Sequence, residues 1–234
     1  MGIPVLIMGE SGSGKSSSLR NFKPEELGIF NVAGKPFPFR NKFIAMTIDD
    51  PKTIMNYLRQ NTRNCYVIDD SQYLMSFKLI NKWTEQGYQK YSEIAKDFRD
   101  LINTIVKDTS NDTLVYFLHH SEQREDGHYK AKTSGKMIDN WLTFEGLFSI
   151  VLMAVTDGKK HQFVTQSDGT NTCKSPMEMF EPEIDNDLKA VDTAIREYYN
   201  LAKIGTPVKK KEEKNTGKVD MAEKLPGEQN GRKI

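Results

Sequence analysis

Two periodicities organise the apolar positions of this chain. Short apolar runs rich in branched residues recur at residues 4–8, 28–32, 43–48, 65–68 and 114–118. Runs of that length, bounded by Gly, Pro or acidic residues, predict strands buried on both faces, as in a parallel sheet. Elsewhere the spacing is helical. Tyr91, Ile94, Ala95, Phe98, Leu101, Ile102, Ile105 and Val106 predict an amphipathic helix of about five turns. Shorter helices are expected over 15–22, stopped before Pro24, and over 53–60. A last one is expected on Ile184, Leu188, Val191, Ile195 and Tyr198. Residues 148–155 and 162–166, with Asp157-Gly158 between them, predict a β-hairpin. Strand–helix alternation followed by a strand pair predicts an α/β sandwich with a mostly parallel sheet, formed by one domain over residues 1–206. From 207 to 234 the chain turns to Lys, Glu, Gly and Asn with few apolar residues, which predicts a disordered charged tail.

Composition narrows the field. The chain has 234 residues, 37% hydrophobic and 28% charged, with a formal net charge of +1. That suffices for a real core and offers no global field toward nucleic acid or membrane. The charge is uneven: residues 207–234 carry a net +3 and the remainder a net −2. Cys65 and Cys173 are the only cysteines, too few for a disulfide framework or a zinc site, which fits a reducing cytoplasm. The longest apolar stretch, 147–155, is too short to span a bilayer. The N-terminal segment lacks a basic region and has only a short apolar run, so no signal peptide is expected.

The strongest chemical signal follows the first strand. Gly9, Glu10, Ser11, Gly12, Ser13, Gly14, Lys15 and Ser16 match G-x-x-x-x-G-K-[ST] in full. Glycines let the backbone curl tightly enough for several N–H donors to surround one phosphate cluster. The expected ligand is ATP with Mg2+: the loop and Ser17 hold the phosphates, Lys15 reaches the β- and γ-phosphates, and the Ser16 hydroxyl binds the cation. The pattern predicts a P-loop NTPase three-layer sandwich.

The run ending in Asp69-Asp70 supplies a second signal, with Asp69 expected to hold the magnesium water shell from a strand beside that of the loop. A hydrolytic site also needs a carboxylate to polarise the attacking water. Asp70 is the favoured base; Asp49, Asp50 and no base at all are the alternatives. The run 114–118 delivers His119-His120 to the sheet's carboxyl edge, where His120 is placed to sense the γ-phosphate, against a purely structural histidine. Segment 124–135 and its surroundings carry Lys130, Lys132 and Lys136. Three readings stay open there: a solvated loop, a DNA-contacting loop, or a lysine finger on a neighbouring subunit, with Lys136 first and Lys174 second.

The glycine-rich loop, Asn31-Val32-Ala33-Gly34-Lys35-Pro36-Phe37-Pro38-Phe39, Val67-Ile68-Asp69-Asp70-Ser71-Gln72-Tyr73, Lys132-Thr133-Ser134-Gly135-Lys136-Met137 and Lys174-Ser175-Pro176-Met177-Glu178-Met179-Phe180 together resemble phage-encoded AAA-type ATP-binding proteins. These look like a minimal RecA core, and some members are grouped with single-strand annealing proteins of recombination. The resemblance covers roughly residues 3–201. It implies a RecA-like, homo-oligomeric ATPase in a bacterial host's cytoplasm, acting on single-stranded DNA beside a single-strand-binding protein. Two departures stand out: neither the Lys136 nor the Lys174 block contains Arg, and Asp70 stands where a Glu base is usual. The rival functions are a nucleotide-gated binding module with slow hydrolysis and a small-molecule kinase. A kinase lid usually carries several Arg, and 121–136 offers only Arg124.

Overall fold

The computed structural model describes residues 1–40, 42–140 and 142–207. The tail expected over 207–234 lies, beyond Pro207, outside the described residues. The chain forms one mixed, mostly parallel sheet with helices on both faces. The strands are β1 (Ile3–Gly9), β2 (Gly28–Asn31), β3 (Ala45–Met46), β4 (Cys65–Asp69), β5 (Leu114–Gln123), β6 (Tyr129–Ala131), β7 (Ile150–Thr156), β8 (His161–Val164) and β9 (Glu183–Asp185). Their order is β3-β2-β4-β5-β1-β7-β8-β9, with β6 paired to β5. Strands β3 to β7 along this order run parallel; β6, β8 and β9 pair antiparallel.

The period-two alternation of the strands sorts side chains onto two faces. Leu6, Met8, Tyr66, Ile68, Val115, Phe117, Val151 and Met153 face one side. That side is covered by α1 (Pro51–Gln60), α2 (Tyr73–Asn81), α3 (Gln89–Asp108) and the short α4 (Lys136–Asp139). Val5, Ile7, Cys65, Val67, Leu114, Tyr116, Ile150 and Leu152 face the other side, against Leu19 and α5 (Leu188–Tyr198). Helix α3 buries Ile94, Phe98, Leu101, Ile102 and Ile105, the stripe its spacing predicts. Helices α1 and α5 start on side-chain caps. Asp50 accepts from the amides of Lys52 and Thr53, and Asp187 accepts from those of Lys189 and Ala190.

Several expectations change. The helix expected over 15–22 is a 3-10 turn, Ser16–Asn21. Serines there compete with the helical ladder: Ser18 Oγ donates to Lys15 O at 2.6 Å. The run 43–48 contributes only the two-residue edge strand β3, since it pairs on one side alone and leaves Ile44 88% exposed. Helix α2 was not expected; it buries only Leu74 and Met75, too few for a readable stripe. Part of the expected loop at 124–135 is instead β6, folded back on an elongated β5 with Ser121 opposite Ala131. Ile184 belongs to β9, and α5 begins after Asp187. Finally, β4 does not lie beside β1: β5 runs between them. Strand adjacency is set by long-range packing, which local pattern does not encode.

Candidate functional site

The carboxyl ends of β1, β4 and β5 meet at a cleft of about 330 Å³ lined by Ser11, Gly12, Gly14, Lys15, Ser16, Ser17, Lys35, Pro36, Pro38, Asp69, Asp70, His120 and His161. The loop leaving β1 forms its floor. Gly12 and Gly14 hold φ of +81° and +98°, a region that disfavours any Cβ. At Gly9 the constraint is space: a Cβ would lie 2.5 Å from Ser13 Oγ and 2.7 Å from Ala154 O. Within this curl, no protein acceptor among the described residues takes the amide hydrogens of Gly12, Gly14 and Lys15. All three residues line the cleft, and successive amides left unbonded in a tight glycine-rich curl can serve as an anion nest. The six-residue 3-10 turn beyond it has little macrodipole, so the loop's own amides carry this capacity.

Lys15 is buried and folded back, its Nζ donating to Gly9 O at 2.8 Å and Glu10 O at 2.7 Å. Burial lowers its pKa to about 8, against the opposing pull of Asp70 and Asp69. Asp69, at the end of β4, accepts from Ser16 Oγ at 3.0 Å and from the Asp70 amide at 3.1 Å. Burial, helped by the neighbouring Asp70 charge, pushes the Asp69 carboxyl up to about 6. A hydroxyl and a carboxylate this close supply hard oxygen donors, and they fit a magnesium ion that keeps most of its waters. The intervening β5 does not separate them, because the loop from β1 reaches across to the β4 terminus.

Asp70 sits in the left-handed region, φ +58°, unusual for a residue with a Cβ. It turns its carboxylate to Lys35 Nζ at 2.9 Å and His120 Nε2 at 3.4 Å. Burial alone would raise its pKa; the His120 and Lys35 hydrogen bonds outweigh that and hold it at about 2. Lys35 also lies over the Tyr73 ring, 5.1 Å from its centroid. Its turn is pinned by Asn31 Nδ2, which donates to Lys35 O at 2.6 Å. The His120 amide donates to Gln72 Oε1 at 3.2 Å, which ties β5 at this lining residue to the segment after β4. His119 is the structural one of the pair. It is fully buried between Ser71 Oγ and Lys132 O, both at 2.8 Å, and stacked on Phe144. Burial pushes its pKa down to about 3.

The cleft thus brings together Ser11, Gly12, Gly14, Lys15, Ser16, Ser17, Asp69, Asp70 and His120 of the residues expected there. Gly9, Glu10 and Ser13 complete the loop. Asp49 and Asp50 lie elsewhere, at a separate depression with Lys52, Lys78 and Asp97, and the Asp50 carboxylate caps α1. They drop out as bases of this cleft. Lys136 does not line it either. It is exposed and borders a cavity of about 690 Å³ with Glu122, Lys130 and Asp139. That larger cavity is a poor site for a polyanion: acids line it, and Lys130 is held by Glu122 at 3.0 Å and Asp139 at 2.6 Å. Lys174 is tied into a β-bridge with Val151. Sequence reasoning missed Lys35 and His161 as cleft residues. Lys35 stands in a Pro-flanked loop, and His161 arrives from far along the chain; neither had a local signal.

Comparison with protein-family models and with curated proteins finds no match to this sequence.

Proposed function

We propose that this chain is a P-loop NTPase with a RecA-like three-layer core that binds Mg-ATP at the loop from Gly9 to Ser17 and hydrolyses it under control of Lys35. The observation that carries the reading is that Gly12, Gly14 and Lys15, whose amides find no protein acceptor among the described residues, line the same cleft as the Ser16–Asp69 pair. An anion nest opposite hard cation ligands suits a polyphosphate accompanied by Mg2+. Ser16 and Asp69 would hold the cation, which would supply neutralisation of phosphate charge.

The chain's own groups do the remainder. Lys15 leaves the Gly9 and Glu10 carbonyls for the β- and γ-phosphates. Among the described residues Asp70 is the only carboxylate lining the cleft besides Asp69, which makes it the group to orient the attacking water. Held by Lys35 and His120, it is a weak base, since efficient proton acceptance at neutral pH wants a pKa near 7. An exposed lysine close to an arriving γ-phosphate exchanges its carboxylate partner for the phosphate, which leaves Asp70 with His120. Turnover is therefore slow at rest and gated by Lys35, a property shared with the nucleotide-switch reading. The resemblance extends the proposal to single-stranded DNA, a single-strand-binding protein and a homo-oligomer with Lys136 reaching a neighbour. With Lys130 neutralised, Arg124, Lys132 and Lys136 are the cations of that segment left for DNA. The test is equilibrium binding of a fluorescent ATP analogue with and without Mg2+, followed by phosphate release with and without single-stranded DNA. Magnesium-dependent binding with DNA-stimulated release supports the proposal, and absence of binding removes it.

A further inference from the structure

The cleft has two chemically different parts. Lys35, Asp70 and His120 crowd the part of the cleft that Lys15, Ser16 and Asp69 assign to the terminal phosphates, because the loop lysine would serve the β- and γ-groups. His161 lines the same cleft against Ser13 and Gly14, and among the described residues no hydrogen bond or ion pair joins it to Lys35, Asp70 or His120.

His161 opens β8, opposite Thr156 of β7. Its Nδ1 lies 3.0 Å from Ser13 O. A carbonyl only accepts, so Nδ1 carries the hydrogen, and Nε2 is the nitrogen left for a ligand. No protein group among the described residues bonds Nε2. The ring presses directly on the loop: a Cβ at Gly14 would lie 2.9 Å from Nδ1. Behind it, Asn186 is buried with Nδ2 unpartnered, 3.3 Å from that same Cβ position. Asn186 is anchored by Arg20, which donates to its backbone oxygen at 2.5 Å. The position of His161 over the loop is therefore built by two further elements, the 3-10 turn and the segment after β9.

We infer that His161, through Nε2, accepts a hydrogen bond from a ribose hydroxyl of the bound nucleotide, and so distinguishes a nucleotide from bare polyphosphate. The inference rests on the nucleotide-site reading above. Its test is competition of ATP, ADP and inorganic triphosphate against a fluorescent nucleotide on the full chain, for wild type, His161→Asn, His161→Gln and Lys15→Ala. Asn retains a donor near the Nδ1 position and has no atom at Nε2, whereas Gln reaches Nε2. For His161→Asn, ATP and ADP weaken by the same factor, about 2- to 10-fold for one lost neutral hydrogen bond, while inorganic triphosphate is unchanged. His161→Gln recovers most of the loss. Equal weakening of inorganic triphosphate, or unchanged ATP affinity, overturns the inference. Lys15→Ala weakens all three ligands; if it weakens none, the nucleotide site itself fails, independently of His161.

Discussion

Two clusters of buried charge sit at opposite ends of this sheet, and only one of them is complete. At the amino ends of the strands, Arg196 and Asp192 form an ion pair at 2.5 Å within α5. Asp192 also accepts from Tyr116 at 3.0 Å, and Cys65 lies 3.5 Å away. The other Arg196 donors go to the carbonyls of Asp112, Ala202 and Asn64. Buried polar groups satisfied in this way fix a core and offer nothing to a ligand. At the carboxyl ends, Lys15, Asp69 and Asp70 are packed together beside amides that bond nothing. There burial lowers the Lys15 pKa to about 8 and raises that of Asp69 to about 6. Energy left unrecovered at one end and recovered at the other marks which cluster awaits a partner.

Substitutions at both ends separate the clusters. Lys15→Ala has the largest expected effect: about 100-fold weaker ATP binding, from loss of a charge-assisted contact in a buried site. Equilibrium fluorescence measures it, and the melting temperature does not fall. Next, Asp192→Ala at the closed end costs about 3–5 kcal/mol of stability by stranding Arg196. Urea unfolding measures that loss, while ATP affinity of the folded protein stays within about twofold.

Asp69→Asn sharpens the contrast by acting in the opposite direction. The raised carboxyl pKa means that the folded state favours the neutral form, so its stabilising contribution is present at acid pH and lost as pH rises through about 6. The amide variant therefore melts higher than wild type at pH 7.5, by about 2 kcal/mol, with the difference gone near pH 4. It loses the magnesium dependence of ATP binding. The smallest effect belongs to Lys35→Ala. Lys35 is 59% exposed, so stability changes by under about 1 kcal/mol. The Asp70 carboxyl titrates higher, seen by carbon NMR, because one of its two hydrogen bonds is gone.

The same contrast governs how much could be read from sequence. The loop, β4 with its terminal acids, and α3 were legible because each is coded by neighbours: a fixed spacing, a branched run, a helical stripe. Helix α2 was not, as it buries two apolar residues and has no side-chain cap. Strand β9 is three residues long and shares its apolar position, Ile184, with the apparent stripe of α5. The insertion of β5 between β1 and β4 is a tertiary fact. So are the arrival of His161 from the far hairpin and the Lys35–Asp70 pair, which joins residues 35 positions apart. Asp49 and Asp50 misled for the converse reason: acids after a strand-like run also serve as helix caps, and Asp50 does.

The central claim is that the unbonded amides of the glycine-rich loop receive phosphate oxygens. Amide NMR of the isotope-labelled chain during titration with Mg-ATP tests it directly. The account predicts large downfield proton shifts at Gly12, Gly14 and Lys15, saturating together, with the Asp192–Arg196 end unmoved. Resonances of Gly12, Gly14 and Lys15 that stay in place at excess Mg-ATP would contradict it.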